Sequence, residues 1–157
     1  MLPGGGLEQG ESEQDCCTRE VAEETGILIR PSECMLEIDE YYEDWKYISL
    51  YFTGEVIGSS EKHLTEREQE VGMEPRWLSI QEIYNIFSGH AAYADIDEMR
   101  RGMYLREYTA LHELFGKHLL YLRQRDLLQQ FLSTGVISQA QHDKSLHDLR
   151  EKMGETE

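Results

Sequence analysis

The clearest pattern in the chain is an alternation of apolar and polar side chains in two neighbouring stretches, residues 33–42 and 47–57. A period of two is typical of β-strands that bury one face. The side chains expected on that face are Cys34, Leu36 and Ile38 in the first stretch and Ile48, Leu50, Phe52 and Val56 in the second. Glu43 and Asp44 lie between the stretches, so we expect a hairpin that turns there.

Helical spacing dominates the second half of the chain. Residues 81–87 place Ile83, Ile86 and Phe87 on one side of a short helix, which Ser88 and Gly89 would end. From Met99 onward, apolar side chains recur at helical intervals and predict an amphipathic helix with a packing face. They are Tyr104, Tyr108, Leu111, Phe115, Leu119 and Leu122.

A helical hairpin is expected at the end of the chain, from Leu127 onward. Gly135 interrupts the apolar pattern, and Ser138 with Gln141 forms a capping-box signature for a last helix. The apolar side of this hairpin is narrow. It is expected to dock on the preceding domain, with self-association as the alternative.

The polar segment 58–72 separates these strands and helices and predicts an exposed loop. It carries four acidic candidates for chemistry, which are Glu61, Glu66, Glu68 and Glu70. Residues 76–80, which follow this loop, are predicted to form another strand.

Composition narrows the classes of function. The 157 residues carry a formal net charge of -16, which argues against binding to the backbone of a nucleic acid polymer. No apolar run approaches the ~20 residues of a membrane span, and no basic-then-apolar leader opens the chain. Three cysteines without metal-ligand or disulfide spacing favour a reducing compartment, so a cytoplasmic protein that does not contact membranes is expected.

Candidate chemistry concentrates on one predicted helix near the start of the chain. Ser12 is the expected N-cap and Gly26 fits the left-handed position after the C-terminus. Glu20, Glu23 and Glu24 are spaced i, i+3, i+4, so their carboxylates share one face and repel each other. Two interpretations stay open from spacing alone: a solvated acidic face, or a nest for hard divalent cations.

The surrounding residues resemble a known signature. Gly5, Glu11 and the run from Arg19 to Ile27 match every fixed position of G-x5-E-x7-R-E-U-x-E-E-x-G-U, where U is a bulky aliphatic residue. This is the Nudix box of the Nudix (MutT-like) hydrolases. The resemblance implies an α+β fold, the α/β/α sandwich of that family, over residues 1–115. The helical pattern beyond it predicts a C-terminal helical extension over residues 116–157.

The resemblance also implies a metal-dependent hydrolase that cleaves the diphosphate linkage of a nucleoside diphosphate joined to another moiety. Mg²⁺, with Mn²⁺ as an alternative, would be held by Glu20, Glu23, Glu24 and the carbonyl of Gly4, and would polarise a phosphoryl oxygen and activate water. Glu23 and Glu24 would take part in catalysis together with a glutamate beyond the box, Glu70 or Glu66. Arg19 and Glu11 would support the carboxylates.

The position of the box raises a further expectation. In the family's fold, strands precede the box, whereas here the box begins four residues after Met1. The sheet is therefore expected to be truncated at its N-terminal side or completed by another chain, for example in a homodimer. A non-catalytic binding or scaffold module derived from the family is the alternative to an active enzyme, and the pattern does not decide which nucleoside diphosphate derivative is bound.

Overall fold

The computed structural model describes residues 1–155, which form an α+β fold with a helical C-terminal extension. Its elements are α1 (Glu13–Thr25), β1 (Ile27–Tyr41), β2 (Lys46–Ser59), α2 (Glu66–Glu70), α3 (Ile80–Phe87), a 3-10 helix (Ser88–Tyr93), α4 (Glu98–Ser133) and α5 (Gln139–Met153). The predicted fold class is confirmed. Within the described residues the sheet has two strands.

Helix α1 begins and ends where its capping residues predict. The Ser12 hydroxyl accepts a hydrogen bond from the N–H of Asp15 at 3.1 Å, and Glu13 and Asp15 add negative charge to the first turn. At the other end, Gly26 has φ +74° and donates its N–H to the carbonyl of Ala22 at 2.9 Å. The chain leaves this left-handed residue directly into β1.

Strands β1 and β2 form the predicted antiparallel hairpin, but both are longer than the alternation indicates. Their register pairs Ile27 with Ser59 and Tyr41 with Lys46. Irregular pairing around Pro31–Cys34 breaks the period of two, so the first part of β1 shows no alternation in the sequence. The expected apolar face is covered only in part, because Ile48 and Val56 stay exposed.

The segment after β2 corrects one prediction. Residues 76–80 do not form a strand: Trp77 is 79% exposed, and Ser79 caps α3 instead. The physical reason is the Ser79–Glu82 capping box, in which the Ser79 hydroxyl accepts from the N–H of Glu82 and the Glu82 carboxylate accepts from the N–H of Ser79. The predicted loop before it contains the short helix α2.

Helix α4 is a single helix of 36 residues. The sequence predicts a helix from Met99 and a separate helical tail from Leu127, whereas the structure runs through both, since neither Gly102 nor Gly116 interrupts it. The helix also continues across the boundary expected between residues 115 and 116. The predicted domain and its predicted extension would therefore share one helix.

Helix α5 folds back on α4, and its observed side-chain contacts join it to Lys117, His118 and Tyr121, within the expected extension, so docking on residues 1–115 stays a prediction. The Ser138–Gln141 capping box is present, and Leu149 and His142 are buried. Arg150 Nε donates to the Tyr121 hydroxyl at 3.4 Å, and His118 Nδ1 lies 2.9 Å from a carboxylate oxygen of Glu155. The buried apolar side chains of α3 and α4 are Phe87, Ala110, Leu111, Leu119 and Tyr121, and Phe87 packs against Tyr104 with ring centroids 5.2 Å apart.

Gly26 offers a test of the junction between α1 and β1. A Cβ at this position would lie 3.0 Å from the Ser60 carbonyl oxygen. Gly26→Ala therefore combines a left-handed backbone with a backbone contact, and we expect it to lower the free energy of unfolding by more than the ~1–2 kcal/mol typical of left-handed strain alone.

Urea unfolding followed by circular dichroism measures this cost. Gly135→Ala is the matched control, because Gly135 also has a positive φ of +72° but no atom lies within 4 Å of its Cβ position. An equal loss of stability in the two variants would show that the Ser60 contact is unimportant.

Candidate active site

The three glutamates of α1 lie on one face of the helix but differ in their surroundings. Glu24 is the most buried, with 4% of its surface exposed. The Glu20 side chain is 16% exposed and the Glu23 side chain 43% exposed. The face therefore runs from a buried carboxylate to one that is open to solvent.

Arg19 ties this face to the loop before the helix. Its Nε and Nη2 donate to the two carboxylate oxygens of Glu11 at 2.9 and 3.0 Å. Its Nη1 donates to Glu20 at 2.7 Å and to Glu23 at 3.3 Å. A bidentate arginine–carboxylate pair is geometrically selective, so Arg19 fixes the loop and orients two of the candidate ligands at the same time.

Glu11 is the anchor of the loop. Besides Arg19, its carboxylate accepts the N–H of Glu8 at 3.1 Å. The hydrogen bonds from Arg19 and from Glu8 lower the pKa of Glu11 to about 2. Glu11 is thus held as an anion, and Arg19 also donates to the Gly6 carbonyl at 3.2 Å. The expected supporting residues, Glu11 and Arg19, are brought together.

The loop approaches the helix closely at two glycines. The N–H of Gly4 donates to a carboxylate oxygen of Glu24 at 3.3 Å. At Gly5, a Cβ would overlap the Glu20 carboxylate. The glycine-rich start of the box is therefore a steric requirement of the acidic face, since any side chain at Gly5 would displace Glu20.

Glu24 is a buried carboxylate whose ionisation is energetically costly. Burial, together with the charges of Glu68 and Glu20, raises its pKa to about 7, against the lowering effect of the hydrogen bond from Gly4. A buried carboxylate with anionic neighbours is costly when ionised.

Glu68 is the functional candidate that the sequence does not single out. Backbone bonds from Ser60 to Gly26 and from His63 to Glu23, of 2.8 and 2.9 Å, bring the segment after β2 back to the end of α1. Glu68 thereby comes within electrostatic range of Glu24, whereas Glu66 and Glu70 are exposed. The signal present in the sequence is the capping box of Thr65 and Glu68, which orders α2.

A family model for the NUDIX domain matches residues 1–98, which is more than half of the chain. The chain belongs to the Nudix family. A comparison with solved structures found no significant match.

The Nudix box opens onto a cleft of about 690 Å³. The loop of Gly4–Gly6 and Glu20 of α1 form part of its lining, while Tyr51 of β2 and Glu107 of α4 form another part. A volume of this size falls in the range of small-molecule sites. The cleft therefore connects Glu20, the one glutamate of the acidic face in its lining, with a second wall built by the sheet and by α4.

The donor set of the box suits a hard divalent cation. Carboxylate and backbone oxygens are the ligands that Mg²⁺ prefers, and the space at Gly5 is kept free for Glu20. Among residues 1–155, no three His, Cys, Asp or Glu side chains converge on one point. Glu20 and Glu23 turn toward Arg19 and Glu24 turns toward Gly4, so the fit is in chemistry and in the shared face.

The length and apolar character of the helices decide whether any of them could cross a membrane. Within the part of the chain that the structure describes, none of them combines the length and the apolar character that a membrane span requires.

The Glu11–Arg19 pair makes the stability of this Nudix domain depend on pH. The folded-state pKa of Glu11, about 2, lies below its ordinary value of 4.5. The pair therefore contributes stability that is complete above the ordinary value and is lost as the pH falls through the folded value. Glu11→Gln should lower the melting temperature at pH 7, and the difference from wild type should shrink steadily below pH 5.

Differential scanning fluorimetry between pH 7 and pH 3 measures both melting temperatures. Glu33→Gln, an exposed substitution in β1, serves as the control. A difference between wild type and Glu11→Gln that stays constant down to pH 3 would contradict the assigned pairing.

Proposed function

We propose that the chain is a Mg²⁺-dependent hydrolase that cleaves the diphosphate linkage of a nucleoside diphosphate joined to another moiety. Membership of the Nudix family supports hydrolysis of such linkages in general. The observation that carries the proposal is the environment of Glu24, a buried carboxylate beside two other anions and a backbone N–H. A cation would compensate this concentration of negative charge, which otherwise only destabilises the fold.

The proposed ligands are the carboxylates of Glu20, Glu23 and Glu24 and the carbonyl oxygen of Gly4. When bound, Mg²⁺ supplies positive charge that neutralises the diphosphate and makes water a stronger nucleophile. With Mn²⁺ the same oxygen donors would serve.

The chain's own residues then have separate tasks. Arg19 holds Glu20 and Glu23 in place through Nη1, at 2.7 and 3.3 Å, while its bidentate bond to Glu11 prevents the guanidinium from turning away. It is a positioning residue. The charge of Glu68 near Glu24 makes Glu68 our candidate for the glutamate beyond the box that accepts a proton or adds a ligand. The assignment of Glu70 to that role stays a prediction from the sequence.

Glu24→Gln tests the proposal in two ways. The amide keeps the size of the side chain and an oxygen that accepts from Gly4, but it removes the charge. At pH 8 without metal, the variant should melt at a higher temperature, by ~3 °C for each kcal/mol of repulsion relieved. Mg²⁺ should stabilise the wild type but not the variant, and the variant should lose turnover.

The measurements are melting temperature with and without 5–10 mM Mg²⁺, and phosphate release from a panel of nucleoside diphosphate derivatives. Glu61→Gln is an exposed control and should behave as wild type. Wild-type turnover in Glu24→Gln would contradict the assignment of Glu24. Stabilisation of the wild type by Mg²⁺ without any turnover would favour the non-catalytic binding module instead.

A second comparison distinguishes the two acidic candidates of α2. We expect Glu68→Gln to lower turnover about 10- to 100-fold, as the loss of a group that orients or assists a metal site typically does. Glutamine still completes the capping box with Thr65, so α2 should persist. Glu70→Gln, two residues away on the same helix and exposed, should stay close to wild type.

Steady-state rates of both variants at saturating Mg²⁺, with circular dichroism on the same samples, decide between them. The reverse result, in which only Glu70→Gln is impaired, would favour the sequence-based assignment and exclude Glu68.

A further inference from the structure

A buried cluster of charged groups lies on the second wall of the cleft. Glu107 of α4 is 3% exposed, and its carboxylate accepts from Arg106 Nη2 at 3.0 Å and from the Tyr51 hydroxyl at 3.4 Å. Arg106 Nη1 donates to Glu40 at 3.1 Å. Tyr51, Arg106 and Glu107 all line the cleft, and we call these three residues the Glu107 cluster.

The charge of this wall is negative. Arg106 is the only basic side chain lining the cleft in residues 1–155, and its positive charge faces two carboxylates, those of Glu40 and Glu107. The charges of Arg106, Glu40 and Glu107 sum to -1. Glu13 and Glu20 add further negative charge to the lining. Since like charges repel more strongly where water is partly excluded, this wall disfavours a phosphate group.

The cluster has hydrogen-bonding capacity left over. A carboxylate offers about four acceptor positions, and the Glu107 carboxylate accepts two hydrogen bonds within the described residues. Burial and the charge of Glu107 raise the pKa of Tyr51, so its hydroxyl stays protonated and remains a donor to Glu107. The buried Arg106 Nε finds no acceptor among residues 1–155. The wall thus combines spare acceptor positions with one unused donor.

We propose that the Glu107 cluster is the subsite for the moiety attached to the diphosphate, and that it selects an uncharged group bearing hydroxyl or amino donors over a group bearing a further phosphate. The inference rests on the proposed function for the position of the diphosphate, which the box face would hold. The two ends of the cleft would then bind different groups. The end at the box, with its cation, would bind the anionic diphosphate, and the end at the Glu107 cluster would bind a neutral group.

Binding of non-hydrolysable analogues tests this selectivity without turnover. The probes are adenosine diphosphate ribose and adenosine triphosphate, with a methylene group in place of every oxygen that bridges two phosphorus atoms. Isothermal titration calorimetry in Mg²⁺ should give a dissociation constant about tenfold or more lower for the ribose-linked probe, the value expected for one hydrogen bond to a charged group.

Two variants locate the origin of the preference. Glu107→Gln removes the wall charge and should reduce the preference to about threefold or less. Tyr51→Phe removes only the hydroxyl and should weaken binding of the ribose-linked probe, with little effect on the triphosphate probe. Glu113→Gln, an exposed substitution on the same helix, should keep the wild-type preference.

Further arms separate the sugar from the base. The inosine form of the ribose-linked probe lacks the amino group of the base, and the methylene analogue of adenosine diphosphate lacks the second sugar. If only loss of the sugar weakens binding, the second ribose occupies the subsite, as proposed. If only the inosine form binds less tightly, the base occupies the subsite instead, and the inference is overturned.

Three further results would overturn the inference: equal or tighter binding of the triphosphate probe by wild type, no binding of either probe, or an unchanged preference in both Glu107→Gln and Tyr51→Phe. Failure of the proposed function is recognised separately. A chain that shows the expected binding preference but hydrolyses no derivative would retain the subsite without the hydrolase activity. A chain that hydrolyses them without the preference would retain the activity alone.

Discussion

The pairing of Arg19 with Glu11 is the interaction on which the rest of the site depends. It joins a loop with little regular structure to a helix whose own acidic face opposes close packing. Because the same guanidinium also bonds to Glu20 and Glu23, the loop cannot be anchored without orienting those carboxylates. The anchored loop brings Gly4 to Glu24 and leaves room at Gly5 for Glu20. Arg19 therefore both anchors the loop and orients the carboxylates of Glu20 and Glu23.

The sequence predicted those elements whose ends and faces depend on interactions between residues close together in the chain. The capping residues of α1, α3 and α5 lie next to the ends they define, so these helices were predictable to within a residue or two. The hairpin was predictable where alternation is unbroken, but not through the irregular pairing at Pro31–Cys34. The strand predicted over residues 76–80 was wrong, because the Ser79–Glu82 capping box starts helix α3 there.

The residues of the candidate site also differ in whether the sequence alone could predict them. The box residues are close in sequence, so their common face follows from helical spacing alone. Glu68 and the Glu107 cluster depend on contacts across the fold. The first depends on backbone bonds between the ends of β2 and α1, and the second on the bonds that join α4 to Glu40 of β1 and to Tyr51 of β2. For a single glutamate in an acidic chain, the sequence does not indicate which distant residues lie beside it in the fold. Sequence therefore indicates the acidic face and is silent on the wall opposite it.

Because α4 is one continuous helix, it fixes the angle about the helix axis between the residues that face the cleft and the residues that face α5. Glu107 faces the cleft, and Tyr121, some four turns later, faces α5. Each residue inserted between them would turn the two faces by about 100° and separate them by about 1.5 Å, whereas seven residues restore the alignment to within about 20°. The spacing of these two positions is therefore a fixed dimension of the fold, and changes of chain length in this helix preserve both contacts only in steps of about two turns.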